Sequence, residues 1–290
     1  MTSPLSALVA EELALPVEPA VSAMAAAIAA RYPQAARAVL FYGSCLRETR
    51  LDGLMLDFYL IVSDYRSAYG GGWLAWANGQ IPPNVFPFEH DGLVAKYAVL
   101  SEADFAALNR PNASSVSVWA RFAQPSRLVW AADATAGETA VAAIAKAPAT
   151  LFSLALPMMP AGTDTLEIWR QGFALTYGAE LRAERKGRNN SVVDADPDRY
   201  ARFGAAARAA AQPIADAARR WPRLQRHGKL LTLARLAKAT TTYAGGIDYL
   251  AWKINRHADA DITIRPWQRR WPILGALSLL PKLLMKGSVR

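Results

Sequence analysis

Short apolar runs with the two-residue alternation of β-strands are concentrated in the first half of the chain. They cover residues Ala38–Tyr42, Met55–Val62, Leu93–Leu100 and Arg127–Trp130. Helical patterns flank them at Val21–Arg31 and just after the glycine triplet Gly70–Gly72, and from about Gly137 the chain becomes helical and alanine-rich. This order predicts an α/β (α+β) protein in which a mixed sheet is followed by a mainly helical part.

A Gly-Ser turn follows the first of these strands. Gly43 lets the backbone come close to a phosphate, and Ser44 adds a hydroxyl donor at the same place. A helix beginning near Cys45 would add unpaired N–H groups and the positive end of its dipole. Most Gly-Ser turns bind nothing, so the turn indicates a phosphate site only together with the strand after it. Cys45 is the single cysteine, and we predict that it is a small packing residue.

The second strand carries a carboxylate in an otherwise apolar run. Alternation along the strand places Asp57 on the same sheet face as Tyr59 and Ile61. Burying an unpaired carboxylate costs on the order of several kcal/mol, so Asp57 needs a partner, and Mg²⁺ is one such partner. A strand, a Gly-Ser turn and a strand bearing an acid is the arrangement in which nucleotidyltransferases hold a nucleoside triphosphate. The sequence therefore predicts a site for a nucleotide and Mg²⁺.

Composition limits the class and the compartment. The chain has 290 residues, of which 52% are hydrophobic, and a single cysteine, which fits two domains in a reducing compartment. No apolar run reaches the roughly 18 to 20 residues that a spanning helix needs. Residues 1–30 contain three Glu and no Lys or Arg, unlike a signal or transit peptide. We expect a cytoplasmic or peripheral protein.

Residues 265–290 are both basic and apolar. They hold six Lys or Arg and no acid, which is most of the net charge of +9. Leucines at helical spacing and two tryptophans accompany these charges, as in interfacial segments, so no nucleic-acid partner is expected. Pro281 favours two short helices over one, and packing of the stripe on the protein is the alternative to a membrane. The membrane-contact residues that we predict are Trp267, Arg269, Arg270, Trp271, Leu277, Leu280, Lys282 and Lys286.

Several longer segments, in the same order, resemble one known family. They are Phe41–Ser44, Met55–Phe58, Ala95–Ser101 and Val118–Pro125, with weaker similarity at Leu175–Arg182 and Thr241–Tyr249. The chain resembles the mitochondrial translocator assembly and maintenance proteins, which are peripheral-membrane phosphatidate cytidylyltransferases, and it is most similar to their bacterial relatives.

The resemblance implies three parts. Residues 1–135 would form a nucleotidyltransferase-fold domain, residues 136–260 a helical, winged-helix-like domain, and residues 261–290 a membrane-binding tail. The implied partners are CTP, phosphatidate and an anionic membrane surface, with Mg²⁺ as cofactor. The implied location is the inner face of a bacterial cell membrane, in preference to the matrix face of a mitochondrial one. The sequence makes no prediction of oligomeric state.

The residues that match these motifs are assigned to roles in this chemistry. We predict that Tyr42, Gly43, Ser44 and Arg121 bind the nucleotide and that Asp57 and Lys96 are catalytic. Lys96 could instead extend from a sheet edge to solvent, and Arg121 could serve a structural ion pair. For the lipid phosphate we predict the basic cluster that contains Arg182, Lys186 and Arg188, although such a cluster is often a solvated face.

The second metal ligand is open. Many nucleotidyltransferases carry another acid two residues after the first, and this chain has Tyr59 there. Asp52 is the nearest acid to the turn, and Asp64, Glu89 and Asp91 are further candidates. Two other functions stay open, namely a nucleotidyltransferase with another acceptor (a different phospholipid, a sugar phosphate or RNA) and a non-catalytic membrane adaptor.

Overall fold

A computed structural model of the chain describes residues 3–47, 51, 53–179, 192–242, 263–270 and 275. The described residues form one five-stranded sheet in the order β3-β4-β2-β1-β5. Its strands are β1 (Ala36–Tyr42), β2 (Met55–Val62), β3 (Asn84–His90), β4 (Leu93–Ser101) and β5 (Ser126–Ala131). β2 and β4 are parallel, and the other neighbouring pairs are antiparallel. The predicted mixed α/β class is confirmed.

Helices precede, interrupt and follow the sheet. In chain order they are α1 (Pro4–Leu13), α2 (Pro19–Ala30), α3 (Tyr65–Tyr69), α4 (Gly72–Gln80), α5 (Glu102–Leu108), α6 (Trp119–Phe122), α7 (Ala134–Ile144), α8 (Lys146–Ala155), α9 (Thr165–Tyr177), α10 (Pro197–Ala210), α11 (Ala217–Thr242) and α12 (Pro266–Arg270). The predicted helices at Val21–Arg31 and after the glycine triplet are confirmed as α2 and α4.

Strand alternation divides the sheet into two apolar faces. On one face, side chains such as Val39, Phe58 and Val99 pack with the buried stripe of α2. On the other, Leu40, Tyr59, Ile61 and Leu100 pack in one cluster with α1 and with α7 to α11. We call the second face the inner face. The site described below lies on it.

The buried cluster on the inner face continues across residue 135, where the sequence predicts a domain boundary. It joins the sheet to Trp169 of α9, Tyr200 of α10 and Trp221 of α11, all of which are buried. The division at residues 135 and 260 stays a prediction. The structure adds that both sides of residue 135 share one core.

Several elements are absent from the sequence predictions, including α1, α3, α6 and β3. β3 begins at Asn84 and contains Pro87. Proline cannot donate to a sheet ladder, and β3 tolerates it because it is an edge strand. α1 was also missed, although Ser3 accepts a hydrogen bond from the Ser6 amide as its N-cap and Pro4 occupies the first turn.

The expectation that no apolar run reaches spanning length needs correction. Among the described residues, the continuous helical stretch Ala134–Met158 is long and apolar enough to cross a membrane, with a mean hydropathy of 1.5. However, 67% of its most apolar window is buried inside the protein. Core helices of globular proteins pass the same test, so the stretch is explained by its packing in the core.

A buried ion pair ties the first helix to the second half of the chain. Arg199 of α10 donates from Nε to Glu12 Oε2 at 2.6 Å and from Nη2 to Glu12 Oε1 at 3.0 Å. The side chains are only 8% and 12% exposed. Arg199 Nη1 also donates to the Ala123 carbonyl at 3.2 Å, so the guanidinium connects α10, α1 and the end of α6.

Replacing Glu12 by glutamine leaves the Arg199 guanidinium buried without its counter-ion. Removing one partner of a buried pair costs about 3–5 kcal/mol, so we expect Glu12→Gln to lower the free energy of unfolding by that order. Urea unfolding measures it. The matched control is Glu11→Gln, because Glu11 and Arg202 pair at 3.0 Å between the same helices with 65% and 59% of their side chains exposed. That change should cost less than about 1 kcal/mol. Equal costs would contradict the argument from burial.

Candidate functional site

Polar side chains form one row across the inner face, near the end of β1. Register pairs Tyr42 of β1 with Asp57 of β2, and Asp57 with Lys96 of β4. Directly paired residues on adjacent strands project from the same face of a sheet. Three of the predicted site residues, Tyr42, Asp57 and Lys96, are therefore brought together, whereas the next row inward is apolar apart from the hydroxyl of Tyr59.

The Gly-Ser turn closes over this row. Gly43 has φ +99°, a conformation that side chains with a Cβ rarely adopt. A Cβ built on Gly43 would lie 3.3 Å from Asp57 Oδ2, so the backbone passes directly against the carboxylate. Ser44 is exposed beside it. Glycine is required here both for conformation and for space.

The expected helix after the turn is a single 3₁₀ turn, Ser44–Arg47. Four residues give almost no macrodipole, so the predicted phosphate-binding helix N-terminus is wrong. Cys45 is buried and its Sγ donates to the Met55 carbonyl at 3.6 Å, in keeping with the packing role that the sequence predicts.

Asp57 has found a partner within the sheet. Lys96 Nζ lies 3.0 Å from Asp57 Oδ1, and the two side chains are about a quarter to a third exposed. The contact is an ion pair and not a directed hydrogen bond. The buried Oδ1 has no partner with hydrogen-bond geometry among the described residues. β4 lies between β3 and β2, so Lys96 is not the edge lysine that the alternative interpretation required.

Arg121 of α6 approaches the same row from above. Its Nη1 donates to the Tyr59 hydroxyl at 3.1 Å and to the Ser117 carbonyl at 3.0 Å. Its Cζ lies 5.3 Å from the centroid of the Tyr42 ring, within cation–π range. Tyr59, at the position where many nucleotidyltransferases have a second acid, thus orients a cation.

The residues present fit a magnesium ion for which a bound nucleotide and water supply most of the ligands. Within the described residues no three His, Cys, Asp or Glu side chains come together as a metal cluster. Asp57 offers one carboxylate, whose Oδ1 faces the Lys96 ammonium at 3.0 Å, and Mg²⁺ is commonly held by one or two carboxylates plus substrate phosphates and water. The donor set therefore suits Mg²⁺ bound together with a nucleotide, with Asp57 as its protein ligand.

The other predicted acids are placed away from this role or are not described. Asp64 is the N-cap of α3, where its carboxylate accepts from the amide and the hydroxyl of Ser67, and these bonds lower its pKa. Glu89 and Asp91 are exposed at the end of β3 and in the turn after it. Asp52 lies outside the described residues.

Most of the predicted lipid and membrane residues also lie outside the described part of the chain. They are Arg182, Lys186, Arg188, Trp271, Leu277, Leu280, Lys282 and Lys286. Those that are described belong to α12, in which Trp267 is 44% exposed, Arg269 and Arg270 are exposed, and Gln268 is buried. This short helix therefore turns one side to the protein and Trp267 with the two arginines to solvent.

Two cations that sequence analysis missed come from α11. Arg235 donates from Nε to the Pro82 carbonyl at 2.8 Å and from Nη1 to the Ser117 hydroxyl at 2.9 Å. Lys238 donates to the carbonyls of Ile81 and Pro83. These bonds fasten α11 to the loop before β3 and to the turn before α6. No local sequence motif predicts these two cations, since their acceptors lie more than 100 positions away in sequence.

Burial of Lys238 changes its protonation. Desolvation, followed by repulsion from Arg235, lowers the pKa of the Lys238 ammonium to about 7. The two carbonyls oppose this shift because they accept from the charged form. The attachment of α11 through Lys238 to the carbonyls of Ile81 and Pro83 is therefore sensitive to pH near neutrality.

Comparison of the chain with protein-family models finds no match, and comparison with curated proteins finds none either. The resemblance to the translocator assembly and maintenance family stays a prediction that rests on the motifs named above.

We expect Gly43→Ala to be more harmful than the same change at another glycine with positive φ. Both Gly43 and Gly53 have φ between +70° and +100°, but nothing in the described chain lies within 4 Å of a Cβ added to Gly53. Backbone strain alone should cost Gly53→Ala about 1–2 kcal/mol. Gly43→Ala should cost at least about 1 kcal/mol more, because it also displaces Asp57. Urea unfolding compares them, and equal losses would contradict the close approach.

We expect the contribution of Lys238 to stability to rise with pH. The unfolded lysine titrates near its ordinary pKa of about 10.4, so between about pH 7 and 10 the unfolded state binds more protons than the folded state. Within that window the stability of the wild-type protein relative to Lys238→Met should increase by up to about 1.4 kcal/mol per pH unit. Urea unfolding at pH 6, 7, 8 and 9 measures the difference. A difference that is flat from pH 6 to 9 would show an ordinary pKa.

Proposed function

We propose that the protein is a peripheral-membrane phosphatidate cytidylyltransferase of the translocator assembly and maintenance family. It would form CDP-diacylglycerol and pyrophosphate from CTP and phosphatidate on the inner face of a bacterial cell membrane. In this proposal the sheet belongs to a nucleotidyltransferase fold, and the helical residues 136–260 form the winged-helix-like domain. The observation that carries it is the row of Tyr42, Asp57 and Lys96 beneath the Gly43-Ser44 turn.

The turn and the row together suit a triphosphate. Gly43 leaves the backbone open to a close approach, and Ser44 offers an exposed hydroxyl beside it. Lys96 supplies an ammonium on the same face. Donors and cations that are already fixed in place stabilise a polyanion without reorganisation.

The reaction is a direct displacement at phosphorus. A phosphate oxygen of the acceptor attacks the α-phosphorus of CTP and forms a new O–P bond. The bond from the α-phosphorus to the oxygen that bridges to the β-phosphorus breaks, and pyrophosphate leaves with the electron pair. A phosphate monoester is already largely ionised at pH 7, so no base has to remove a proton.

The site must overcome repulsion between two anionic substrates. Lys96 and Arg121 offset part of that charge, and Asp57 holds Lys96 in position through the ion pair at 3.0 Å. Mg²⁺ held by Asp57 would, when bound with the nucleotide, neutralise charge on the departing pyrophosphate.

Exposed tryptophans support a membrane surface as the place of reaction. Trp73 and Trp76 of α4 are 52% and 58% exposed, and their rings lie 5.0 Å apart between centroids at an interplanar angle of 31°. Trp267 of α12 is exposed next to Arg269 and Arg270. Indole rings favour the headgroup region of a bilayer, and arginines add attraction to anionic lipids.

One observation favours a second candidate, a non-catalytic adaptor. Tyr59 replaces the second acid and Lys96 occupies one oxygen of Asp57. Such a site could bind phosphate groups without transferring them. The same variant tests both candidates.

We expect purified protein to convert phosphatidate vesicles and CTP, with Mg²⁺, to CDP-diacylglycerol and pyrophosphate, and to do so poorly with ATP, GTP or UTP. Asp57→Asn should lower kcat at least about 100-fold, because it removes the charge that holds Lys96 and the metal. Lipid product and pyrophosphate are followed together, and circular dichroism checks that the variant is folded.

The matched control is Asp91→Asn. Asp91 is 82% exposed in the β3–β4 turn and has φ +47°, a conformation that asparagine also tolerates. Its kcat should stay within about two-fold of wild type, the scale expected for an exposed turn residue. Vesicle binding without product from any of the four nucleotides would favour the adaptor. Product with an acceptor other than phosphatidate would instead indicate a nucleotidyltransferase that uses that acceptor.

A further inference from the structure

Ser117 joins two arginines that are far apart in sequence. Its carbonyl accepts from Arg121 Nη1 at 3.0 Å, and its hydroxyl accepts from Arg235 Nη1 at 2.9 Å. Ser117 is buried, and its hydroxyl also bonds Ser115 at 2.7 Å. Both guanidiniums are therefore held within hydrogen-bond distance of one fixed residue.

Arg235 is oriented from two sides. Its Nε donates to the Pro82 carbonyl at 2.8 Å while Nη1 donates to Ser117, and its side chain is half-buried. Because a guanidinium is planar, two bonds to fixed oxygens set the plane of the group. A phosphate that binds here would meet a preorganised fork.

The position of the pair relative to the turn indicates which phosphate it would bind. Gly43 and Ser44 lie at the end of β1, next to Asp57. Arg121 bonds Tyr59, which is two residues, or about 7 Å, further along β2 and away from the turn. In an in-line displacement the attacking and leaving oxygens lie on opposite sides of the phosphorus. If the pyrophosphate end of CTP lies at the turn, the acceptor comes from the side of Tyr59.

We infer that Arg121 and Arg235 form the subsite for the acceptor's phosphate monoester, with α11 supplying half of it. The inference rests on the proposed function and deepens it. Two arginines neutralise a phosphate dianion and can bind its oxygens bidentately. It also places an acceptor cation on a described helix, in a part of the chain different from the Arg182–Arg188 cluster that the sequence predicted.

The kinetic test replaces Arg235 and follows each substrate separately. With dihexanoyl phosphatidate as a soluble acceptor, Arg235→Met should raise KM for the lipid at least ten-fold and leave KM for CTP within two-fold. Arg235→Lys keeps the charge without the fork, so it should recover part of the loss. Ser117→Ala removes the hydroxyl that accepts from Arg235 and bonds Ser115, and it keeps the carbonyl that accepts from Arg121. It should raise KM for the lipid several-fold, which provides a readout if Arg235→Met does not fold.

Arg220→Met is the matched control. Arg220 lies on the same helix and makes the same kind of bond, from Nη2 to the Pro111 carbonyl at 2.8 Å, but it does not contact Ser117 or the row. Both KM values should stay within two-fold. An equal rise of both KM values in Arg235→Met, or the same profile in Arg220→Met, would overturn the inference in favour of a purely structural anchor.

Binding without nucleotide separates this inference from the proposed function. Calorimetry of wild-type protein with dihexanoyl phosphatidate should give a dissociation constant that rises at least ten-fold in Arg235→Met and not in Arg220→Met. Inorganic phosphate as competitor shows whether the lipid part contributes. If the protein binds the lipid in this Arg235-dependent way but forms no product, the subsite is supported and the proposed cytidylyltransferase activity is contradicted. A wild-type protein that does not bind, or an unchanged constant in Arg235→Met, would overturn the subsite.

Discussion

The parallel register of β2 and β4 is the constraint on which the candidate site depends. It sets Asp57 beside Lys96, and the antiparallel pairing of β1 with β2 adds Tyr42 to the same row. A slip of one residue on either strand would turn that side chain to the opposite face, because successive residues alternate. The apolar rows deeper in the sheet oppose such a slip, because it would move residues such as Leu60 and Val99, which are fully buried, out of the cluster in which they pack with α2. The hydrophobic core thereby fixes the position of the polar groups.

The helical half of the chain completes the site through hydrogen bonds to backbone oxygens. Arg220, Arg235 and Lys238 of α11 reach carbonyls at Pro111, Pro82, Ile81 and Pro83. Charged donors make stronger hydrogen bonds than neutral ones, so these side chains can hold a long helix that buries no apolar side chain between Leu230 and Ala239. Desolvation of Lys238, visible in its lowered pKa, opposes that gain.

Local patterns predicted the parts of the fold that obey local rules. β1, β2, β4 and β5 were predicted because their alternation or apolar runs are evident. β3 was missed because Pro87 and the polar residues of this edge strand interrupt the apolar pattern that predicts a strand. The assembly of Tyr42, Asp57, Lys96 and Arg121 on one face follows partly from alternation, but the Lys96–Asp57 contact needs the register. Arg235 and Lys238 could not be predicted, since only the tertiary path of α11 brings them to residues 81–83 and 117.

The balance of charge explains why such a site would favour a polyanion. Lys96 and Arg121 lie at the row that contains a single carboxylate, Asp57, and Ser117 holds both Arg121 and Arg235, so the cations near Ser117 and the row repel one another. The bonds to Ser117, Tyr59 and Pro82 hold the cations there against that repulsion. In the proposed function, a ligand that carries several negative charges would offset this repulsion. By linkage, the same ligand stabilises the folded state. In that function, the bonds that hold α11 in place would also hold the cations that bind phosphate.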